Sequence, residues 1–312
     1  MPLFCKTIDG WQSWSEVFCD RQAFAPLIEE ILRRHGLPLS PVEGLTPGTN
    51  AVFRAGNYVI KLYAPPESTL CDETGGLGEY QAGCAAAAAG LAVPRPVARG
   101  TLEDRYTFLY LVMEYLSGQE IGEALAELSA AQKRETGKAL RGLCDTLHGA
   151  NANACSACCI DLLTRSLENP RWQSVPALLA QQLKVRAKAV WQRRERHVLV
   201  HGDLTGENVL LLPEGRLALL DFGDAVLAPE CYEWPSLFLE GMRADTDVLQ
   251  GFLDGESPEA WFEALLDGLS LHDFAGDLIA DFARRKGIAI GQLNSLQALR
   301  QALLQKVFGR EI

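Results

Sequence analysis

The 312-residue sequence predicts a two-lobed α+β fold. A small N-terminal lobe of antiparallel sheet plus helix would face a larger, mainly helical C-terminal lobe across a cleft. Three observations carry this. Short β-branched and aromatic runs bounded by turn residues crowd between about residues 41 and 115. After Ser117-Gly118 the apolar residues recur mostly at helical spacing. Inside that helical half, the stretch VHGDLTGENVLLLPEGRLALLDFGDA, from Val200 to Ala225, returns to short strands around polar turns. The lobes are expected to divide as 1–116 and 117–312, with residues 1–40 a helical extension of the first.

The elements follow in order. Trp11, Trp14 and Phe18 lie at helical spacing and an amphipathic stretch runs from Phe24 to Arg34, so residues 1–40 read as helical and the aromatics as packing residues. Leu45 to Asn50 makes a turn, Ala51 to Ala55 a strand, and Gly56-Asn57 a hairpin signal. Tyr58 to Tyr63 is a β-branched and aromatic strand ended by Pro65-Pro66. A helix is expected from Gly76 to Leu91, then strands from Pro96 to Gly100 and Tyr106 to Tyr115. Helices follow at Ile121–Leu128, Ala130–His148, Pro176–Glu195 and several places beyond Pro235. No repeat or linker-like tract interrupts this order, and the insertion from Asn151 to Arg196 carries no residue-level clue to function.

Composition is that of an ordinary globular chain, and no apolar run approaches the ~18 residues of a membrane span. The N-terminus lacks the basic and apolar regions of a secretory signal, so a cytoplasmic protein without a membrane partner is expected. Nine widely spread cysteines argue against a disulfide framework. Cys155, Cys158 and Cys159, with His148 upstream, form the one cluster; with no second pair at finger-like spacing, a zinc site is disfavoured. The net charge is −11, and thirteen acidic residues against the single basic Arg243 between Glu230 and Asp281 concentrate −12 there. Such a segment repels nucleic acid and attracts cations, or simply marks solvated helix faces. Nothing in the sequence sets the oligomeric state.

The chemistry-bearing residues lie between Val200 and Ala225. Asp203 follows an apolar strand, and Asn208 comes five residues later at the head of Val209 to Leu212. A loop closed at both ends by strands directs the two side chains to one point. Asp203 can accept a hydrogen bond from a substrate hydroxyl, and Asn208 can coordinate magnesium through its amide oxygen. Asp221, at the end of the next strand, can bridge the metal to nucleotide phosphates. Singly, Asp203 and Asp221 are ordinary turn residues. The joint pattern is what points to phosphoryl transfer.

HGDLTGENVLLL followed by LLDFGD resembles the aminoglycoside phosphotransferase and choline kinase superfamily, relatives of the protein kinases. The resemblance implies a protein-kinase-like bilobal fold, ATP or GTP as donor, Mg2+ as cofactor, and a small-molecule hydroxyl acceptor. Gly202 stands where protein kinases usually carry an arginine that reads a phosphorylated activation loop. Ala228-Pro229-Glu230 follows Gly223 too closely to close a peptide-binding segment. The family pattern Gly-Asp-Pro-x-x-Asp is missing hereabouts, and no role is carried over to Pro229-Glu230-Cys231-Tyr232-Glu233.

The resemblance also assigns the N-terminal lobe. Lys61, mid-strand among apolar residues, would bind the α- and β-phosphates, positioned by an ion pair with Glu79; Glu73 is the runner-up partner. Gly48, Thr49 and Asn50 would form the nucleotide loop, glycine leaving room for phosphate. Leu111 to Gly118 resembles the hinge, with Met113 at the back of the base pocket and the Glu114 carbonyl and Leu116 amide meeting the purine edge. His201 would brace the catalytic loop. The acidic segment, falling where the family builds its acceptor site, suggests a cationic acceptor such as an aminoglycoside, an amino sugar or a choline-like amine. Neutral sugars, macrolides and amino acids are the alternatives, with a protein substrate or a non-catalytic nucleotide-binding regulator behind them.

Overall fold

The computed structural model describes residues 2–45, 48–70 and 75–309. The chain begins with α1 (Trp11–Val17) and α2 (Arg21–Arg34). Asp20 starts α2 by accepting from the Gln22 and Ala23 amides, and Phe24, Leu27, Ile28, Ile31 and Leu32 form its buried face. Then come β1 (Val42–Gly44), β2 (Ala51–Ala55), β3 (Tyr58–Leu62), α3 (Gly75–Ala88), β4 (Pro96–Glu103) and β5 (Thr107–Glu114). The five strands form one antiparallel sheet in the order β1-β2-β3-β5-β4. Gly56, at φ 63°, turns β2 into β3 and sets the register that pairs Lys61 with Val52 on one side and Leu111 on the other.

Residues 1–40 are more than an extension. Phe4, Trp14 and Phe24 pack with Phe53 and Phe108 into one buried aromatic layer that covers the sheet. Asp104, on the β4–β5 turn, holds the start of the chain by accepting from the Leu3 and Phe4 amides, each at 2.9 Å. A five-stranded sheet needs an apolar partner on such a face, and this segment supplies it.

The second half runs through β6 (Gln119–Glu120), α4 (Ile121–Ala124), α5 (Ala130–His148), α6 (Leu162–Glu168) and α7 (Ala177–Gln192). Four short strands follow, β7 (Val198–Val200), β8 (Val209–Leu211), β9 (Leu217–Leu219) and β10 (Val226–Ala228). The remainder is helical: α8 (Trp234–Ser236), a π-helical turn over Leu237–Gly241, α9 (Thr246–Leu253), α10 (Pro258–Leu271), α11 (Ala275–Arg285) and α12 (Leu296–Lys306). The helix expected to reach Leu128 stops at Ala124, because the next amides tighten to i−3 carbonyls (Ala126 to Glu123, Glu127 to Ala124). Helix α5 opens with a Ser129–Gln132 capping box and crosses α9 at two facing glycines. A Cβ on Gly137 would sit 2.0 Å from the Val248 carbonyl, and one on Gly251 would sit 1.9 Å from that of Arg134. Backbone therefore packs on backbone, fixing α5 beneath the strands that carry the site.

The molecule is thus a bilobal α+β fold in which one apolar core lies between the sheet and the N-terminal helices and a larger one runs from α3 through α12. Among the described residues, no helix is long and apolar enough to cross a membrane.

Candidate active site

Two short ladders place the central residues. Strand β7 pairs antiparallel with β10 and strand β8 with β9, so the loops after β7 and β9 emerge side by side. Asp203 lies on the first loop. Its carboxylate accepts from Asn208 Nδ2 at 2.8 Å, and the same nitrogen donates to the Asp203 carbonyl at 2.9 Å. Both bonds use the amide nitrogen, which leaves the Asn208 oxygen for a metal. Asp221 follows β9 with φ 53°, a strained backbone for a non-glycine residue. It turns Oδ1 onto the Gly223 amide at 3.2 Å and the Lys61 ammonium at 2.7 Å.

Lys61, on β3, is only 4% exposed. Besides Asp221 it binds Glu79, on α3, at 2.9–3.0 Å to both oxygens, and the Tyr63 hydroxyl donates to Glu79 at 2.6 Å. A buried ammonium survives when paired on this scale. Burial would depress Lys61, but Asp221 and Glu79 outweigh it and raise the lysine above its ordinary range. Burial in turn lifts Glu79 in spite of Lys61, with the Asp221 charge adding to the rise. Asp221 moves the other way: against desolvation, Lys61 holds it below the usual carboxylate range. Thr49, Asn50, Lys61, Glu79 and Asp221 line one cavity of about 270 Å³. Glu73, the alternative partner for Lys61, lies outside the described residues, as do Thr46 and Pro47 of the expected loop.

Asp203 is perturbed as well. Burial, then the neighbouring Asp224 and Asp221 charges, push it up to about 7, and the Asn208 hydrogen bond opposes them only in part. A carboxylate poised near neutrality suits a group that receives a hydroxyl hydrogen bond.

The remaining expected residues fall as follows. Met113 and Glu114 end β5, and the Glu114 amide donates to the Arg95 carbonyl at 3.0 Å. Leu116, just beyond, packs with Leu210, Leu212 and Ala218. This is the crossing between the lobes. A Cβ at Gly48 would touch nothing within 4 Å, so no protein atom demands glycine there and the face of the loop is open. The hard-oxygen donors Asn208 and Asp221 suit magnesium completed by phosphate oxygens. Among the described residues no cluster of three or more His, Cys, Asp or Glu side chains could hold a metal, Cys155 and Cys158 included. Their thiols instead face the Gln81 and Gly78 carbonyls of α3, each at 3.7 Å, so the insertion braces the helix that carries Glu79.

Three features went unread in the sequence. The first is Glu233, which is fully buried and whose carboxylate accepts from the His201 amide at 2.7 Å and the Gly202 amide at 3.0 Å. Burial works against its ionisation, yet the His148 ring and the His201 amide keep it below the ordinary glutamate range. The segment given no role thus clamps the backbone that carries Asp203. The second is Gly202, at φ 77°. A Cβ there would meet the Asp224 carbonyl at 2.4 Å, and the Gly202 carbonyl itself accepts from His272 Nε2 at 3.0 Å. Glycine is a steric requirement here, quite apart from the missing arginine. The third is the pair of tryptophans on α1. Trp14 packs as expected, and its indole N–H also donates to the Thr49 carbonyl at 2.8 Å. Trp11 does not pack: it is 53% exposed and lines the Lys61 cavity, because α1 overhangs the sheet at that end.

The His201 ring is tied to the two loops on both sides of the site. Its Nε2 donates to the Leu220 carbonyl at 2.7 Å, and its Nδ1 accepts from the Asp203 amide at 3.3 Å. The ring lies 4.8 Å from that of Phe222. With both nitrogens in use, it has none left to act as a base.

The acidic segment looks different in three dimensions. Asp245 pairs with Lys133, Asp247 with Arg134, Glu256 with Arg141, Asp267 with Arg186 and Arg193, and Asp277 with Arg171. Most of its charge ties helices together.

The fold has counterparts among known structures. No curated protein matches the sequence significantly. Among solved structures, the chain is similar to the GDP complex of aminoglycoside 2'-phosphotransferase-IIIa (TM-score 0.58, 17% identity, covering 91% of this chain and 98% of that one). It is also similar to choline kinase LicA from Streptococcus pneumoniae (TM-score 0.56, 16% identity, 92% and 99%) and to aminoglycoside-3'-phosphotransferase of type VIII (TM-score 0.55, 22% identity, 78% and 97%). Likeness at these identities speaks to the fold. Residues 49–268, from the loop before β2 to the last third of α10, match the model of the phosphotransferase enzyme family, and the chain belongs to that family.

Proposed function

We propose that this protein is a small-molecule kinase that transfers the γ-phosphoryl group of ATP or GTP to a hydroxyl of its acceptor. The observation that carries the reading is the Lys61 ammonium clamped between Glu79 and Asp221, with the Asp203–Asn208 pair on the adjoining loop. In this reading residues 1–116 bind nucleotide and 117–312 supply catalysis and the acceptor site. Lys61, positioned by Glu79, holds the α- and β-phosphates. Gly48, Thr49 and Asn50 cover the phosphates, while Met113, Glu114 and Leu116 receive the base. Asn208 and Asp221 would hold Mg2+. The ion, when bound, neutralises phosphate charge. Asp203 accepts the acceptor's hydroxyl hydrogen bond and aligns the oxygen for attack, so catalysis is positioning plus electrostatics.

A protein substrate is disfavoured by the path after Asp221, where Val226–Ala228 pairs at once with Val198–Val200. A cationic acceptor no longer rests on the charge of the acidic segment. Its support is local. Asp224 is held high by burial and by Asp221, and near it the buried Asp273, paired with Arg165 through Oδ2, keeps Oδ1 without a hydrogen-bond partner among the described residues. An ammonium there would relieve both. The family's amine-directed members, an aminoglycoside phosphotransferase and a choline kinase, point the same way.

The test is an ADP- or GDP-release screen over aminoglycosides, amino alcohols, macrolides, sugars and hydroxy amino acids. Magnesium-dependent turnover with an amine-bearing alcohol is expected. Turnover of neutral compounds alone would remove the cationic part of the reading, and nucleotide binding without turnover of any acceptor would remove the kinase.

A further inference from the structure

The strongest unassigned feature is a second cavity of about 470 Å³ on the larger lobe, sharing no lining residue with the Lys61 cavity. Its wall carries Lys133, Arg243, Lys286 and Lys306, with Asp245 as the one carboxylate. In a chain of net charge −11, four cations converging on one concave surface run against the bulk composition. Asp245 is committed twice, to Lys133 at 2.7 Å and to the first amides of α9. The nearby Glu240 is committed to Arg285 at 2.6 Å. Among the described residues, neither Arg243 nor Lys306 has a carboxylate within ion-pair distance. Burial, together with Arg285 and Lys306, pulls Lys286 below the ordinary lysine range, and Asp245 offsets them only in part.

The backbone at this wall is unusual in a second, independent way. Arg243 and Ala244 both take left-handed conformations, φ 50° and 51°, which non-glycine residues adopt at a conformational cost and rarely in succession. Only Met242 separates them from the π-helical turn Leu237–Gly241, whose carbonyls receive the next amides: Met242 to Leu237, Arg243 to Glu240, Ala244 to Phe238. The distortion presents Arg243, the single basic residue of the acidic segment, to the cavity. π-Turns and strained residues of this kind concentrate at functional sites. The cavity also abuts the catalytic loop. Its lining residue Gly122 donates to the carbonyl of Gly206, between Asp203 and Asn208, at 2.9 Å, and a Cβ on Gly122 would meet the Arg243 guanidinium at 2.9 Å.

We propose that this cavity binds the anionic group of a phosphate-bearing small molecule, held by Arg243, Lys286 and Lys306. Guanidinium and ammonium donors around one pocket are what a phosphomonoester requires. The anion has two possible sources: a substituent of the acceptor itself, or a separate effector that acts on the catalytic loop through Gly122 and Gly206. The site rests on its own geometry; only its link to turnover rests on the kinase reading.

The test is calorimetric titration of inorganic phosphate and pyrophosphate into the full-length protein saturated with Mg-ADP, which blocks the nucleotide cleft. Binding is expected, weakened about tenfold by Lys286→Ala and again by Lys306→Ala, with Mg-ADP affinity unchanged. Lys306→Glu, on the exposed last turn of α12, should abolish phosphate binding with little demand on folding. Absence of phosphate binding to the Mg-ADP form would overturn the proposal, and so would binding that survives the Lys286→Ala/Lys306→Ala pair. With an acceptor in hand, phosphate that raises only the acceptor KM assigns the anion to the acceptor, and phosphate that alters kcat at saturating acceptor assigns it to an effector. Either outcome upholds the site. If no acceptor is ever turned over, the kinase reading falls while the calorimetry still decides the cavity.

Discussion

Replacing Asp203 with asparagine should stabilise the nucleotide-free protein while abolishing transfer. In the folded protein Asp203 is pushed up to about 7 by burial and by Asp224 and Asp221, whereas an aspartate in an unfolded chain titrates near 3.9. The sign follows from linkage. Between those two values the folded state holds the proton more tightly, so stability falls as pH rises through this window. A gap of about three units sets a ceiling of roughly 4 kcal/mol above pH 7, and partial solvent access to Asp203 lowers what is realised. Asparagine keeps the shape, its oxygen can still accept from Asn208 Nδ2, and it carries no charge. The apo variant should therefore melt several degrees above the parent at about pH 8, at a few degrees per kcal/mol, and show no advantage at about pH 4. Calorimetric melts at the two pH values, with Mg-nucleotide affinity and turnover measured alongside, decide it. Destabilisation at pH 8, or an equal shift at both pH values, would refute the electrostatic reasoning. Near-parental turnover would refute the catalytic assignment.

Glu233→Gln should destabilise the fold by about 1–3 kcal/mol at neutral pH, since an amide NH2 then faces a buried backbone N–H of His201 or Gly202. Because Glu233 is held below its ordinary range, the deficit seen in urea unfolding should shrink as pH falls through that depressed value. Gly202→Ala combines a left-handed backbone with a 2.4 Å clash against the Asp224 carbonyl. It should cost about 2–4 kcal/mol and lower kcat at least tenfold by displacing Asp203, read from melts and steady-state rates. Asp221→Ala should abolish the magnesium dependence of ADP binding in calorimetry, leaving Lys61 paired with Glu79 alone. Equal ADP affinity with and without magnesium in the parent protein would remove that metal assignment.

How much of the site was legible in the sequence depended on whether the information was local. Asp203, Asn208 and Asp221 lie within one hairpin-sized stretch, where spacing along the chain nearly equals placement in space. Lys61 and Glu79 are eighteen residues apart on neighbouring elements, and their bond was likewise readable. Glu233 was not, because nothing in Pro229 to Glu233 betrays a carboxylate aimed back at amides some thirty residues upstream. Trp11 and Trp14 share a helical period, and periodicity alone cannot say that α1 overhangs a cleft at Trp11 and buries Trp14.

The acidic segment carries that lesson into the chemistry. Its −12 was read as a lure for cations, but charge summed along a chain ignores partners more than a hundred residues away, such as Lys133 for Asp245 and Arg134 for Asp247. Pairs of this sort contribute little net stability or field once formed and screened. What a ligand senses is the charge left without a partner. Near Asp203 that residue of charge is negative, at Asp224, whereas Asp273 beside it is already paired with Arg165 through Oδ2. Beyond Gly206 it is positive, at Arg243, Lys286 and Lys306. If the protein is the kinase proposed, the acceptor's charge is to be sought at these two places, one negative as the segment's composition suggests and one positive against it, and an acceptor that spans both would carry an amine at one end and an anion at the other.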